Sequence, residues 1–275
     1  MLDGLVVREK NNLRKFVISL LIYSTVFTLA SVLLVEYVLP FNVGGMNLGG
    51  IVSVFIATLA VSYPLTDFMR SRDNEELNSR WSEPNIMRRH FEELYAYVAV
   101  FIAAAIGFGI ASYFLSGDFF TIQSMILEGI RGEAAMTGQM TAGSSEMFYN
   151  ILVNNLFVFL STFAISFFIS GGLAFIIIWN ASVLGVLLGT LSSNIVQVPI
   201  NLLPYIVHGT VEVAAYVFAG FGGYLLAYHI EHYLCEETHC EGCFKLVVRD
   251  VVALICLGVL FVFLGAVLET GYPFV

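Results

Sequence analysis

Charge is what this 275-residue sequence has least of, because only 12% of its residues are Asp, Glu, Lys or Arg. Soluble domains carry about 25%. The chain is 58% hydrophobic, which is more apolar surface than a water-soluble fold of this length can bury. Basic residues are the scarcer sign, with 12 Lys and Arg against 21 Asp and Glu. These shortages exclude a soluble globular domain and leave no basic patch for nucleic acid.

The motifs of several common enzyme classes are also missing. The sequence contains no HExxH, no Gly-x-Ser-x-Gly and no visible Ser-His-Asp arrangement. No internal repeat is evident, so an inverted-repeat transporter is not supported. The sequence therefore argues against zinc proteases, serine hydrolases and that transporter architecture.

Long hydrophobic runs are abundant instead. A helix that crosses the hydrocarbon core needs about 20 mostly apolar residues. These runs predict an all-α fold, a polytopic membrane helix bundle that forms a single membrane domain over residues 1–275. The first run is longer than the apolar core of a cleavable signal, so we expect it to stay as an anchor. Seven segments qualify as transmembrane helices: 16–39, 48–68, 94–115, 149–170, 173–191, 204–228 and 251–268.

Glycine and alanine mark the expected helix contacts. The fourth and fifth segments are separated only by Ser170, Gly171 and Gly172. One continuous helix would be roughly twice as long as the bilayer core is thick, so we predict a helical hairpin with the glycines at its turn. Small residues also recur every fourth position, a pattern typical of close helix packing in lipid. They are Ala103, Gly107 and Ala111; Ala181, Gly185 and Gly189; and Ala215, Ala219, Gly223 and Ala227.

The distribution of Lys and Arg predicts the orientation. With seven spans and a cytosolic N-terminus, eleven basic residues fall on the cytosolic side and only Arg131 falls outside. The cytosolic regions then include the loops 69–93 and 229–249, and residues 116–148 form an outer loop. Within that loop, Phe119, Ile122, Ile126 and Ile130 lie at helical spacing, which predicts an interfacial helix. The eleven residues are Arg8, Lys10, Arg14, Lys15, Arg70, Arg72, Arg80, Arg88, Arg89, Lys245 and Arg249.

Five polar residues lie at membrane depth: Asn154, Asn155, Asn180, His208 and Glu212. Hydrocarbon penalises such groups, so each needs a partner or a function. One interpretation is a structural hydrogen-bond network that holds the helices in register. A second is an ion, proton or small-solute site in the outer half of the membrane. A third is a metal or hydrolytic centre, although one His and one Glu four residues apart supply too few ligands for zinc.

The loop after the sixth segment carries a different set of candidate ligands. Cys235, His239, Cys240 and Cys243 could hold a structural zinc ion, with His232 as an alternative ligand. Cys240 and Cys243 have the spacing of a usual zinc half-site. Reduced thiols or a disulfide are the alternatives, and disulfides are uncommon in the cytosol.

The region 149–228 resembles the stage II sporulation protein M family of integral membrane proteins. The matching residues are Asn154 and Asn155, Asn180 followed by Gly185, and His208 and Gly209 with Glu212, Ala215 and Gly220. The chain departs from the family at Ala181, where glycine is typical. The resemblance implies a scaffold, since the family's named member anchors two peptidoglycan-degrading proteins during engulfment.

These observations favour a multi-pass protein of the cell membrane that acts as a scaffold or membrane-complex subunit. The expected partners are membrane lipids and other membrane or envelope proteins, without nucleic acid, and a homo-oligomer is compatible with the sequence. No cofactor is indicated beyond the candidate structural zinc. A transporter or channel with its site around His208 and Glu212 is the alternative, and a membrane metalloenzyme is the third hypothesis.

Overall fold

A computed structural model describes residues 13–76, 85–115, 117–127, 145–169, 171–191, 198–235 and 241–270. Seven helices in this part of the chain are long and apolar enough to cross a membrane, and each overlaps one predicted segment. The predicted all-α polytopic bundle is thereby confirmed. The elements are α1 (Leu13–Tyr37), β1 (Asn42–Val43), β2 (Met46–Asn47), α2 (Gly49–Glu76), α3 (Ile86–Arg89), α4 (Phe91–Phe114), a 3-10 turn (Gly117–Phe120), α5 (Ser145–Phe168), α6 (Gly172–Leu191), α7 (Val198–Cys235) and α8 (Glu241–Thr270).

Contacts divide the described residues into two compact units. The first unit draws on residues 1–64, 99–142 and 177–207, and the second on residues 65–98, 143–176 and 208–275. The helices α2, α4, α6 and α7 each contribute to both. In α2 the division follows Pro64, which lies inside the helix and cannot donate a backbone hydrogen bond.

In the first unit, glycines bring α4 and α6 close together. A Cβ added to Gly185 would lie 2.6 Å from the carbonyl oxygen of Ala105 and 2.8 Å from the backbone nitrogen of Gly109. A Cβ added to Gly189 would lie 2.7 Å from the carbonyl oxygen of Gly109 and would also meet the Ser112 side chain. The small residues that recur along α6 therefore allow a backbone-to-backbone contact that any larger side chain would prevent.

In the second unit, α5 and α7 run parallel to each other and antiparallel to α8. The contacts between Asn155 and Glu212 and between Phe163 and Gly222 show the parallel pair. The ring of Phe148 meets Phe263, and further along α5 the fully buried Phe159 covers Gly258. Phe159 also forms the centre of an apolar core with Ala215, Tyr216, Ala219 and Val262.

The connection between α5 and α6 is as short as the glycines suggested. Helix α5 ends at Phe168 and α6 begins at Gly172, with Ser170 outside the described residues. A Cβ on Gly172 would lie 2.8 Å from the carbonyl oxygen of Ile165. Glycine is required at this position because the two helix ends approach so closely.

The segment 117–127 is helical, and one of its faces packs against the protein. Phe119, Phe120, Gln123 and Leu127 are buried, whereas Ile126 is exposed. Phe119 packs on Gly49 and Gln123 packs on Gly50, where the absence of side chains leaves room. This segment therefore covers part of the first unit, and the remainder of the predicted outer loop, residues 128–144, lies outside the described residues.

Several helices extend beyond the apolar segments. Helix α7 begins at Val198, upstream of Pro204, where the sequence predicted the first helical residue, and it continues to Cys235. Pro199 lies in its first turn, where a missing N–H costs no intrahelical bond. Helix α2 runs on to Glu76. Apolar length predicts the membrane-crossing part of a helix, and polar helix-forming residues then lengthen it.

We expect Gly185→Ala to lower the free energy of unfolding by about 1–3 kcal/mol, because the new methyl group meets backbone atoms that cannot rotate away. Unfolding in detergent micelles, followed by circular dichroism during denaturant titration, would measure the loss. Gly209→Ala is the matched control, since no atom lies within 4 Å of its added Cβ. Equal stability of the two variants would contradict the tight contact.

Candidate functional site

Asn155 is the centre of a polar network in the second unit. Its side chain is buried on α5 and faces α7. The amide nitrogen donates to Glu212 Oε1 over 2.7 Å, and the hydroxyl of Tyr216 donates to the amide oxygen over 3.2 Å. Glu212 and Tyr216 are four residues apart and therefore share one face of α7. One asparagine thus pairs with two side chains of the neighbouring helix.

The network continues toward the surface on both sides of Glu212. The exposed Asn154 donates to the Asn155 amide oxygen over 3.4 Å, which is a weak bond. On α8, the Glu212 side chain lies over Gly265, where an added Cβ would be 2.8 Å from Glu212 Cγ. Glu269 follows one turn later, is exposed, and interacts electrostatically with Glu212. The polar groups therefore run from buried Tyr216 to exposed Asn154 and Glu269.

The five predicted site residues have different outcomes. The structure brings Asn154, Asn155 and Glu212 together. Asn180 lies on α6 in the first unit and is half-buried. His208 belongs to α7, and its side chain lies outside the described residues.

Sequence reasoning missed two members of the network. Tyr216 is signalled by its position four residues after Glu212, which puts it on the same helical face. Glu269 had a weaker signal, since an acidic residue at the end of the last span usually meets water. Only the position of Gly265 beneath Glu212 reveals that this end of α8 faces α7.

The network has two chemical capabilities. Amide, phenol and carboxyl groups that hydrogen-bond one another can hold the two helices α5 and α7 in register. Carboxylate and amide oxygens can also bind a proton or a hard cation. Among the described side chains, no three His, Cys, Asp or Glu residues form a metal-binding group. The proposed zinc ligands Cys235, His239, Cys240 and Cys243, with the alternative His232, lie outside the described side chains.

A second buried network, which the sequence did not predict, joins the start of α8 to the region before α4. Arg89 forms an ion pair with Asp250, and both side chains are almost fully buried. His90 Nε2 lies 3.4 Å from the same carboxylate oxygen, and the imidazole ring meets the ring of Phe221 edge-on. The sequence placed Arg89 in a cytosolic loop and predicted no partner for it. One signal was Asp250, which stands among four valines in the stretch from Val247 to Val252.

The contribution of this ion pair to the stability of the protein depends on its burial. Removing two charges from water costs several kcal/mol per ion, and the pairing largely offsets that cost. The net contribution to stability is therefore modest, but the loss of one partner leaves an uncompensated buried charge. Arg89 and Asp250 consequently specify how the short helix α3 is placed against the start of α8.

Long apolar helices joined by buried polar side chains define an integral, multi-pass membrane protein. The chain belongs to one particular family of this class, because the family model described as stage II sporulation protein M matches residues 96–272. That match contains the whole Asn155 network and Asp250, but not Arg89 or His90. No curated protein and no solved structure matched the chain.

We expect Asn155→Ala to lower the free energy of unfolding by about 1–3 kcal/mol, because buried polar groups on Tyr216 and Glu212 would lose their partner. Denaturant titration in detergent measures the change. Asn154→Ala provides a control of identical chemistry at the adjacent, exposed position and should have little effect. A larger loss for Asn154→Ala than for Asn155→Ala would contradict the assigned network.

We expect Arg89→Met to cost about 3 kcal/mol of stability, because the buried Asp250 carboxylate loses its buried partner and keeps, among the described residues, only the more distant Arg249 and His90, each 3.4 Å away. The double variant Arg89→Met with Asp250→Leu should recover much of this loss, since both charges are then removed. Thermal unfolding in detergent compares these proteins with Arg88→Met, which changes an exposed neighbour. The prediction is wrong if the double variant is less stable than Arg89→Met alone.

Proposed function

We propose that this protein is a scaffold or complex subunit of the cell membrane, with its N-terminus in the cytosol. The observation that carries the proposal is the Asn155 side chain, which pairs with both Glu212 and Tyr216. Polar groups that pair with one another within the protein make the helix bundle rigid. A fixed bundle is what a scaffold needs in order to present its connecting segments in constant positions.

The connecting segments provide the docking surfaces in this proposal. Residues 69–93 and 229–249 face the cytosol and residues 116–148 face outward, according to the distribution of Lys and Arg. The partners are other membrane or envelope proteins and the surrounding lipids. The family supports this assignment, because its named member resembles a scaffold. Family membership does not identify the partners.

Transport of a proton, an ion or a small solute is the second candidate function. It is favoured by the extent of the network, in which Asn155 links buried Tyr216 to the exposed Asn154 and to Glu212, and Glu212 interacts electrostatically with the exposed Glu269. A transported ion needs such a route between a buried site and the surface. Glu212 is the central group under this hypothesis, because it accepts a hydrogen bond from the buried Asn155 amide and interacts electrostatically with the exposed Glu269 carboxylate.

Glu212→Gln separates the two functions, because glutamine keeps an oxygen that can accept from Asn155 while removing the carboxyl group. For a scaffold, we expect a stability within about 1 kcal/mol of wild type, the ordinary range for replacing one hydrogen bond by another. Crosslinks to neighbouring membrane proteins, mapped by mass spectrometry in native membranes, should also be unchanged. Glu212→Leu should be clearly less stable and serves as the disruptive control.

The same variant tests the transport hypothesis in proteoliposomes. Flux of protons or cations by the wild-type protein, abolished in a stably folded Glu212→Gln protein, would overturn the scaffold proposal. Equal flux in wild type, Glu212→Gln and protein-free liposomes would exclude a transport role for the network. Asn154→Ala should keep any such flux if Glu212 is the essential group.

A further inference from the structure

The connection between α1 and α2 has an unusual surface. Residues 37–50 contain no Asp, Glu, Lys or Arg. A connection in contact with water normally carries polar residues, and contiguous exposed apolar patches mark a contact with something other than water. The large apolar side chains exposed here are Tyr37, Val38, Leu39, Phe41, Val43 and Met46.

The backbone of this connection is hydrogen-bonded as a small hairpin. Strands β1 and β2 pair Asn42 with Asn47 and Val43 with Met46. Gly44 and Gly45 form the turn, with φ angles of 59° and 85° that suit glycine. Leu48 N donates to Phe41 O over 2.8 Å at the base. Paired backbone groups are what a segment needs before it can enter an apolar environment, where water offers no partners.

The two faces of the hairpin differ in polarity. Side chains alternate between faces along a strand, so Asn42 and Asn47 share one face and Val43 and Met46 the other. The asparagines border the same depression as Asp118 and Thr121, and Gly45 of the turn and Met46 lie at its edge. Val43 and Met46 are 51% and 45% exposed, so the described residues leave about half of each of these side chains uncovered.

The exposed apolar surface is continuous with the outer face of α1. That helix is a candidate membrane span, and its exposed side chains follow one another at helical spacing down to Tyr37. Val38, Leu39 and Phe41 then continue the same surface into the hairpin. Lipid covers the exposed face of a spanning helix, so lipid is also the partner that this continuous surface fits. The exposed residues of α1 are Ile18, Ile22, Val26, Leu33, Leu34 and Tyr37.

We propose that the hairpin of residues 41–48 inserts its apolar face into the boundary between head groups and acyl chains. Val43 and Met46 enter the acyl region, while Tyr37 and Phe41 lie at the level where aromatic side chains concentrate in membrane proteins. The hairpin thereby anchors the connection between the first two spans to the lipid. It is a lipid-binding element and not a docking surface for another protein.

Fluorescence quenching tests the position of the tip. Val43→Trp is made in a background of Trp81→Phe and Trp179→Phe, and the protein is placed in nanodiscs, where both membrane faces are accessible. We expect a blue-shifted emission that loses more than half its intensity with phospholipids brominated near the head-group end of the acyl chain. Aqueous iodide should quench it little. Leu59→Trp, at an exposed mid-span position, and Met87→Trp, on α3, provide the lipid and water controls.

Oxidative footprinting checks the unmodified hairpin, so that a result cannot be attributed to the inserted tryptophan. Met46 and Met87 are 45% and 37% exposed in the protein alone. Lipid insertion should make Met46 several-fold less reactive than Met87 in nanodiscs that contain the wild-type protein. The two methionines should be oxidised equally in detergent-solubilised, denatured protein. Equal oxidation of both residues, or iodide quenching of Val43→Trp equal to that of Met87→Trp, would overturn the proposal. Protection of Val43→Trp from both iodide and brominated lipid would also overturn it, since a protein would then cover the tip.

Discussion

A polar side chain between membrane helices needs a partner inside the protein, because lipid offers none. In the second unit this constraint centres on Asn155, whose amide pairs with Glu212 and Tyr216 at the same time. Rotating or sliding α5 relative to α7 would break both bonds together. The contact therefore fixes the register of two parallel helices, while Gly265 lets α8 approach the Glu212 side chain from the opposite direction.

Small residues allow the helices to approach closely enough for this arrangement. Phe159 is fully buried because Gly258 and Ala215 leave room for its ring between α7 and α8. In the first unit, Gly185 and Gly109 allow the backbones of α4 and α6 to touch. Membrane helices gain little from apolar burial against one another, since lipid is equally apolar, so close packing and internal hydrogen bonds supply the specificity.

The two polar networks of the second unit involve opposite ends of α8. Asp250 near its start pairs with Arg89, whereas Gly265 near its end packs against the Glu212 side chain. A helix held by a buried ion pair near one end and by close packing near the other is restricted in sliding and in rotation. This restriction agrees with a scaffold, whose task is to keep its surfaces in place. It also gives α8, which lies wholly within the family match, a structural role.

Some features of the site could be anticipated because they depend on local sequence. Asn154, Asn155 and Glu212 stand out as polar residues in apolar helices, and Glu212 predicts its neighbour Tyr216 by helical spacing. The pairing of Arg89 with Asp250 could not be anticipated, since 161 positions separate the two residues. Gln123 was missed for a similar reason. Its burial depends on Gly50, a residue on another helix, and not on the apolar pattern of its own segment.

The sequence was sufficient to predict an all-α, multi-pass membrane protein of the stage II sporulation protein M family, and the described part of the chain contains seven helices of spanning length. This was possible because every span must contain a minimum number of consecutive apolar residues, and that number can be counted in the sequence. Tertiary structure alone decided which polar groups meet, which face of 117–127 is buried, and that the loop after α1 closes into a hairpin. Those outcomes depend on contacts between residues that are far apart in the sequence. The size of one side chain, or its absence at a glycine, determines which residue can pack against it.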